Sequence, residues 1–168
     1  MELKLIRLEE LHIDTLTKIM ERAFDEDTRI HLGKEKGGPD GYNNGEFLRK
    51  WGLHNNSSSY CISLNEHLVG GVILWINENN HNFLGNIFID PAYENQGLGI
   101  KVWNMIEKLY PDTEVWETET PIFSSRNHNF YVNKCGFHIV KIDNPKNRLE
   151  GQYKMQKVMK YSSTTSSL

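Results

Sequence analysis

Two glycines, Gly97 and Gly99, lie where an apolar, strand-like run gives way to a helical pattern, in the segment IFIDPAYENQGLGIKVWNMIEKLY (87–110). A helix N-terminus exposes free N–H groups and the positive end of the helix dipole, so it can bind an anion without a cationic side chain. Glycine has no β-carbon to hold a bulky phosphate away from those N–H groups. The spacing therefore predicts a turn at which an anion approaches the backbone.

Three known kinds of anion-binding turn compete for this segment. A Walker A loop requires Gly-Lys-Ser/Thr at the start of the helix, whereas Gly99 is followed by Ile100, Lys101 and Val102. A dinucleotide-binding turn requires a third glycine, where this chain has Val102, and an acidic residue on a following strand. Glu119 lies near the required distance, but in the wrong local pattern for a ribose-reading strand end. Both of these kinds are therefore disfavoured.

The third kind is the diphosphate-binding turn of an acetyltransferase family. In IFIDPAYENQGLGIKVW (87–103) a strand ends two residues before a proline, an aromatic follows, and paired glycines open a helix. In SSRNHNFYVNKCGFHIV (124–140) a helix bears Phe-Tyr and is followed by Gly-Phe and a strand. Together the two motifs resemble the signature of the GNAT family of N-acetyltransferases. The motif residues lie within Ile87–Phe137, and the order of elements resembles the family over the whole chain.

This resemblance implies that acetyl-CoA, the co-substrate of the family, lies in a cleft between two parallel strands that splay apart. The strands would be NIFID (86–90) and TEVWETE (113–119). Backbone groups of Phe88 and Ile89 would pair with the pantetheine arm as an added strand would. The diphosphate would be held by five consecutive backbone amides, those of Gln96, Gly97, Leu98, Gly99 and Ile100.

One residue of the first motif departs from the family pattern. Glu94 occupies the position at which glutamine or arginine is usual, and a carboxylate beside a diphosphate is electrostatically unfavourable. Either Glu94 points to solvent, or the loop is shifted, or the coenzyme binds more weakly than is typical. Lys101, in the first turn of the helix, is expected to offset the charge.

The second motif supplies the candidate general acid. Tyr131 matches the family tyrosine that protonates the departing coenzyme A thiolate, a task that suits a phenol. The alternative is a core aromatic beside Phe130. Asn127 lies one helical turn before Tyr131 and shares its face, so its amide is expected to bond either the pantetheine or a loop carbonyl. In the commoner family spacing the asparagine stands where this chain has Ser124.

A general base must remove a proton from the acceptor ammonium, directly or through water. Glu117 and Glu119 lie on one face of the strand expected to border the reactive carbonyl, and Glu114 lies on the other. Glu119 is the better candidate because it lies nearer the splayed end, although a solvated strand end explains both residues. Asp25 and Glu21 are weaker candidates for contacting a cationic amine.

The pattern along the chain predicts one domain over residues 1–160 and a polar tail over 161–168. We expect an amphipathic helix from Asp14, its N-cap, to Phe24, then a long polar loop (Asp25–Gly45). Further helices are predicted over 46–53, 98–110 and 124–135, and the loop and the helix over 46–53 are expected to form the acceptor site. Strands are predicted over 3–8, 59–64, 67–77, 82–90, 113–120, 137–142 and 153–159. This order predicts a mixed α/β fold of the α+β kind, with one twisted sheet of six or seven antiparallel and parallel strands and helices on both faces.

The composition of the chain indicates which classes of partner are disfavoured. The 168 residues carry a formal charge of −3, which disfavours a nucleic-acid partner. No apolar run reaches the ~18 residues that a membrane-spanning helix needs, so we expect a cytoplasmic protein without a membrane partner. The two cysteines suggest free thiols, and neither they nor the seven histidines show metal-ligand spacing. We therefore expect no metal, and we expect homodimerisation through exposed strand edges as one option.

The resemblance implies an enzyme that transfers the acetyl group of acetyl-CoA to a primary amine by direct attack in a ternary complex. The acceptor is a small molecule or a peptide: a polyamine, an amino sugar, an amino acid or a protein N-terminus all remain open. A catalytically inactive acyl-CoA-binding regulatory module is the main alternative, favoured by Glu94. A nicotinamide enzyme is the second.

Overall fold

The computed structural model describes residues 1–160, so the predicted tail over 161–168 lies outside the described residues. Seven strands form one sheet in the order β1-β2-β3-β4-β5-β7-β6. Every neighbouring pair is antiparallel except β4–β5, which is parallel. The predicted mixed sheet is thereby confirmed. The strands are β1 Leu3–Arg7, β2 Ser57–Leu64, β3 His67–Trp75, β4 His81–Ile89, β5 Val115–Pro121, β6 His138–Asp143 and β7 Gln152–Val158.

Helices cover both faces of the sheet. They are α1 Ile13–Leu32, α2 Leu98–Leu109 and α3 Ser125–His128, which continues as a π-helix over Asn129–Lys134; a π-helical turn spans Leu48–Gly52. On one face Trp103 of α2 packs edge-on against Trp116 of β5, with ring centroids 5.1 Å apart. On the other face Leu16 of α1 is buried against Ile73 of β3. No helix within residues 1–160 is long and apolar enough to cross a membrane.

The long loop predicted over Asp25–Gly45 is wrong in its first third, because α1 continues to Leu32. The apolar stripe of α1 stops at Phe24, so apolar periodicity did not reveal this extension. The inward face continues instead with polar groups: Thr28 is buried, and its hydroxyl donates to the carbonyl of Gly37 at 2.8 Å. The helix ends where Gly33 adopts a left-handed conformation (φ 66°).

The predicted N-cap of α1 is also wrong. A 3₁₀ turn over Glu10–His12 precedes the helix, and His12 rather than Asp14 occupies the N-cap position. The Nδ1 atom of His12 accepts a hydrogen bond from the N–H of Glu9 at 3.0 Å. Asp14 lies in the first turn of α1, where its negative charge interacts favourably with the helix dipole.

The two parallel strands stay paired over only part of their length. Pairing runs from His81 with Val115 to Leu84 with Thr118 and then stops, although β4 continues to Ile89. The register between β3 and β4 shifts at the same point, because Leu74 pairs with Leu84 whereas Ile73 pairs with Asn86. Such a bulge bends a strand and increases its local twist. The bend carries the end of β4 away from β5 and leaves a gap in the sheet.

Both cysteines are free and buried. Burial disfavours the charged thiolate and raises the pKa of Cys61 and of Cys135 to about 12. The expectation of two free thiols is confirmed.

Candidate active site

A cavity of about 270 Å³ opens where β4 and β5 separate. Its walls come from α1, the end of β4, the glycine turn before α2, and α3 with its π-helical continuation. The lining residues are Ala23, Phe24, Asp27, Ile87, Phe88, Ile89, Glu94, Asn95, Gly99, Arg126, Asn127, Phe130, Tyr131 and Lys134. The cavity thus unites the two sequence motifs with a helix that neither motif contains.

The end of β4 presents unpaired backbone to this cavity. The N–H of Asp90 donates to the carbonyl of Val69 on β3 at 2.7 Å. Because hydrogen-bonding direction alternates along a strand, Phe88 also faces β3, and the N–H and C=O groups of Ile87 and Ile89 point into the gap. Of the two residues predicted to pair with pantetheine, Ile89 therefore presents its backbone to the cavity. Phe88 contributes its side chain, which packs in the cluster beneath α1.

The glycine turn offers a run of free N–H groups. Gly97 is the N-cap of α2 with φ of 71°, a left-handed conformation that glycine adopts without strain. Within residues 1–160, none of the amides from Asn95 to Ile100 donates a hydrogen bond to the protein. Six consecutive donors at the positive end of a helix form an anion-binding concavity.

Packing also explains why residue 99 is a glycine. A β-carbon added there would lie 2.8 Å from Cε2 of Phe130, which is closer than van der Waals contact allows. The second glycine thus lets the aromatic residue of the second motif pack against the first turn of α2. Lys101 was expected to offset the negative charge of Glu94. Its side chain is exposed and lines neither this cavity nor the second cavity described below.

Glu94 is neutralised by a residue of the second motif. The guanidinium of Arg126 donates to both carboxylate oxygens of Glu94, at 3.2 and 3.3 Å. Its Nε lies 4.0 Å from a carboxylate oxygen of Asp27 on α1. A bidentate arginine contact fixes both the charge and the orientation of a carboxylate. The pair therefore accounts for the acidic residue at the position where glutamine or arginine is usual.

Tyr131 lies in the π-helical segment and is buried on the floor of the cavity, only 6% exposed. Its ring packs against Phe130 and Phe137, with centroids 5.3 and 5.9 Å away. Burial disfavours the phenolate and raises the pKa of Tyr131 above its ordinary value. Like an ordinary phenol, Tyr131 is protonated at neutral pH, and its raised pKa makes it a weaker acid.

Asn127 lies between two cavities. Its Nδ2 donates to the buried hydroxyl of Thr120 on β5 at 3.2 Å, rather than to a loop carbonyl. It lines both the first cavity and a second one of about 500 Å³. The second cavity is bordered by the loop after α1, by β4 and by the end of β5. Besides Asn127, Phe24 and Asp27 line both cavities, so the two meet at these three side chains.

Asp27 is the functional candidate that sequence reasoning missed. It is the one acidic residue, among those described, that lines both cavities. Its carboxylate accepts a hydrogen bond from the hydroxyl of Ser124 at 3.0 Å and lies 3.3 Å from Nε2 of His31. A signal did exist: Asp27 falls three residues after Phe24 and so continues the inward stripe of α1. Predicting a loop from Asp25 onwards hid it.

The acids predicted on β5 point elsewhere. Glu119 is half-exposed on the face opposite the buried Thr118 and lies 3.4 Å from the ammonium of Lys154. Glu117, on the same exposed face, accepts a hydrogen bond from Gln156 at 2.9 Å. Neither glutamate lines a cavity described above. The assignment of Glu119 as general base stays a prediction.

The acids named on α1 hold the following loop in place. Asp25 accepts hydrogen bonds from the hydroxyl of Tyr42 at 2.6 Å and from the N–H of Gly37 at 3.1 Å. Glu21 lies 4.0 Å from the ammonium of Lys36. These contacts fasten the loop that borders the second cavity.

Within residues 1–160, no three histidine, cysteine, aspartate or glutamate residues lie together in a group that could hold a metal ion.

Comparison with known proteins assigns the family. A model of the acetyltransferase (GNAT) family matches residues 16–137, and the chain belongs to this family. Over 77 residues it is 54% identical to the uncharacterized protein YrkN of Bacillus subtilis (strain 168). That stretch is 45% of this chain and 42% of YrkN, so the match spans less than half the length of that relative.

Solved structures share the fold at low identity. An acetyltransferase from Thermus thermophilus superposes with a TM-score of 0.74 at 13% identity, over 95% of this chain and 98% of that one. The PaiA N-acetyltransferase from Thermoplasma acidophilum, solved in complex with coenzyme A, gives 0.73 at 16% identity over 94% and 99%. The chain therefore has the fold of the acetyltransferases of its family, including one that binds coenzyme A.

An ion pair fixes the start of the glycine turn and makes its stability depend on pH. Asp90 accepts a hydrogen bond from Arg22 of α1 at 2.5 Å and one from the N–H of Ala92 at 3.1 Å. Burial opposes ionisation of Asp90, but these hydrogen bonds outweigh it and lower the pKa. Ionised Asp90 thus contributes stability above the ordinary aspartate pKa of about 3.9, and the contribution is lost as the pH falls through the lowered value.

We expect Asp90→Asn to lower the free energy of unfolding by about 1 kcal/mol near neutral pH, since half-exposed Arg22 is screened by water. Urea unfolding of both proteins should show this difference narrowing below about pH 4. Asp112→Asn is the control, because Asp112 is exposed and forms no ion pair within residues 1–160. A difference that persists unchanged in acid would contradict the assignment.

Proposed function

We propose that the protein transfers the acetyl group of acetyl-CoA to a primary amine by direct attack in a ternary complex. The observation that carries the proposal is the meeting of two cavities at Phe24, Asp27 and Asn127. One cavity contains the free amides and the open edge of β4, and the other is enclosed by the loop after α1. Two substrates can therefore approach each other from opposite sides of the gap.

The free backbone groups support a definite orientation of the coenzyme. The diphosphate lies against the amides of Gln96 to Ile100. These five belong to the run of six N–H groups, from Asn95 to Ile100, that donate no hydrogen bond within residues 1–160. The pantetheine arm follows the open edge of β4, with Ile87 and Ile89 supplying the backbone partners. The thioester then reaches the floor of the first cavity, beside Tyr131. This orientation places the carbonyl carbon where the second cavity begins.

In the reaction the amine nitrogen forms a bond to the thioester carbonyl carbon, and the carbon–sulfur bond of the tetrahedral intermediate then breaks. The sulfur leaves as a thiolate and takes a proton from Tyr131. Its place on the floor of the first cavity supports this role, because a phenol is protonated at neutral pH and lies beside the expected position of the sulfur. The acceptor ammonium loses one proton before attack, and the nitrogen of the tetrahedral intermediate loses a second. Both pass to a carboxylate or to water, and one proton returns to the Tyr131 phenolate.

Two carboxylates are candidates for the general base. Asp27 lies where the cavities meet and is held by Ser124. Glu119 lies at the splayed end of β5 and is paired with Lys154. The position of Asp27 favours it, and the ammonium group of the acceptor would also be attracted to its negative charge.

The alternative of an inactive acyl-CoA-binding module rested on Glu94, and the bidentate contact with Arg126 removes that reason.

A cytoplasmic location stays a prediction. Homodimerisation also stays a prediction, supported by Ile139, Val140 and Ile142, which are exposed on the edge strand β6.

The turn should bind the coenzyme through its diphosphate. We expect acetyl-CoA to raise the melting temperature of the protein by several degrees at concentrations well above its Kd, and S-acetylpantetheine, which lacks the diphosphate, to raise it far less. NAD is the control, since it carries a diphosphate without a thioester. Equal effects of the two thioesters would refute binding at the turn. Stabilisation by NAD alone would point to a nicotinamide enzyme.

Removing the phenolic proton donor should slow turnover. We expect Tyr131→Phe to lower the rate of thiol release from acetyl-CoA about 100-fold, the usual contribution of a general acid. The Kd for acetyl-CoA should stay unchanged, because phenylalanine keeps the ring contacts. Tyr60→Phe is the matched control, since within residues 1–160 the Tyr60 hydroxyl is bonded to that of Tyr110, at the C-terminal end of α2, and Tyr60 does not line the first cavity. A Tyr131→Phe enzyme with full activity would make Tyr131 a core residue.

The two candidate bases can be separated by paired amide substitutions. We expect Asp27→Asn to lower kcat/KM by about 100-fold, with the acetyl-CoA Kd preserved. Glu119→Gln should have the smaller effect, because Glu119 lines neither cavity. If Glu119→Gln instead causes the larger loss, Asp27 is a positioning residue and Glu119 is the base.

A further inference from the structure

A third cavity extends the proposed acceptor site across the sheet. It encloses about 420 Å³ on the face of β3 and β4 that α1 leaves uncovered. Four of its seven lining residues are aromatic, namely Phe47, Trp51, Trp75 and Phe83, and the others are Ile73, Gly85 and Asn86. Phe47 and Asn86 also line the second cavity, so the second and third cavities adjoin at these two residues.

Among the aromatic side chains that line this third cavity, that of Trp51 is exposed, whereas those of Phe47, Trp75 and Phe83 are half-buried. Trp51, on the π-helical turn, is 37% exposed and meets Trp75 edge-on, with ring centroids 6.3 Å apart. Trp75 is contacted from its other side by the ring of His54 at 5.1 Å. Two tryptophans held in fixed orientations over a concave apolar surface form the kind of wall that binds a small apolar ligand.

The charges around the acceptor path select against a polycation. The ammonium of Lys50 lies 4.7 Å from the ring centre of Trp51 and already occupies that aromatic face. Lys34 and Lys36 line the second cavity. The one acid there, Asp27, is shared with Arg126. A second positive charge on the acceptor would therefore meet cations rather than carboxylates.

From this arrangement, and resting on the proposed acetyltransferase function, we propose that the acceptor is a monoamine with a bulky apolar body, aromatic or branched. Its amine lies beside Asp27, and its body lies between Trp51, Trp75 and Phe83. Asn86, at the junction of the two cavities, supplies an amide for a polar group between them. Transfer forms the N-acetyl amide and releases coenzyme A, and the apolar body takes no part in bond making.

The test compares acceptors at saturating acetyl-CoA by thiol release. We expect kcat/KM for phenethylamine to exceed that for ethylamine and for spermidine about 10-fold or more, because only phenethylamine fills the aromatic cavity. Trp51→Ala should lower kcat/KM for phenethylamine about 10-fold through a higher KM, with kcat unchanged. Leu109→Ala removes a comparably exposed apolar side chain at the end of α2 and should change neither constant.

A second readout separates this inference from the proposed function. Phenethylamine should quench tryptophan emission saturably in the wild-type protein. In Trp51→Ala, which keeps Trp75, the quenching should be smaller and should need about 10-fold more phenethylamine. Circular dichroism checks that the variant is folded. Turnover of spermidine or ethylamine as efficient as that of phenethylamine would overturn the inference and leave the function intact. Absence of thiol release with every amine would overturn the function. In that case saturable quenching would still support the apolar site, and its absence would overturn that as well.

Discussion

The short pairing between β4 and β5 is the constraint on which the site depends. Four pairs of residues join the strands, and the hydroxyl of Thr118 closes the paired segment by donating to the carbonyl of Leu84 at 2.9 Å. Beyond this point the bulge in β4 turns the strand away from its neighbour. A parallel sheet that stayed closed would bury its edges in ladder hydrogen bonds. Because it opens, backbone groups, the glycine turn and Tyr131 all face one gap.

Around that gap a single arginine links three elements. Arg126 on α3 holds Glu94 of the turn in a bidentate contact and lies 4.0 Å from Asp27 on α1. The two carboxylates would otherwise repel a diphosphate and each other. The arginine thereby fixes the turn against both helices while leaving the backbone amides unobstructed. Asp90, which lies between β4 and the glycine turn, also links two elements. Its ion pair with Arg22 joins the end of β4 to α1.

Features that depend on neighbouring residues in the chain could be predicted. Alternating apolar residues identified the strands, and the glycines identified the start of α2, because both follow from local backbone geometry. The end of α1 was missed since Asp27, Thr28 and His31 turn inward as polar residues, where a periodicity argument expects apolar ones. The Glu94–Arg126 contact and the side chains shared between adjoining cavities join segments distant in sequence, and no local pattern encodes such contacts.

The interrupted ladder also has a mechanical consequence. The sheet consists of two leaves, β1 to β4 and β5 with β7 and β6, hinged along a seam four residue pairs long. A ligand that spans the gap would supply the missing rungs between the leaves and stiffen the seam. The co-substrate would then act as a temporary strand. The rigidity of the sheet would therefore depend on the concentration of the co-substrate.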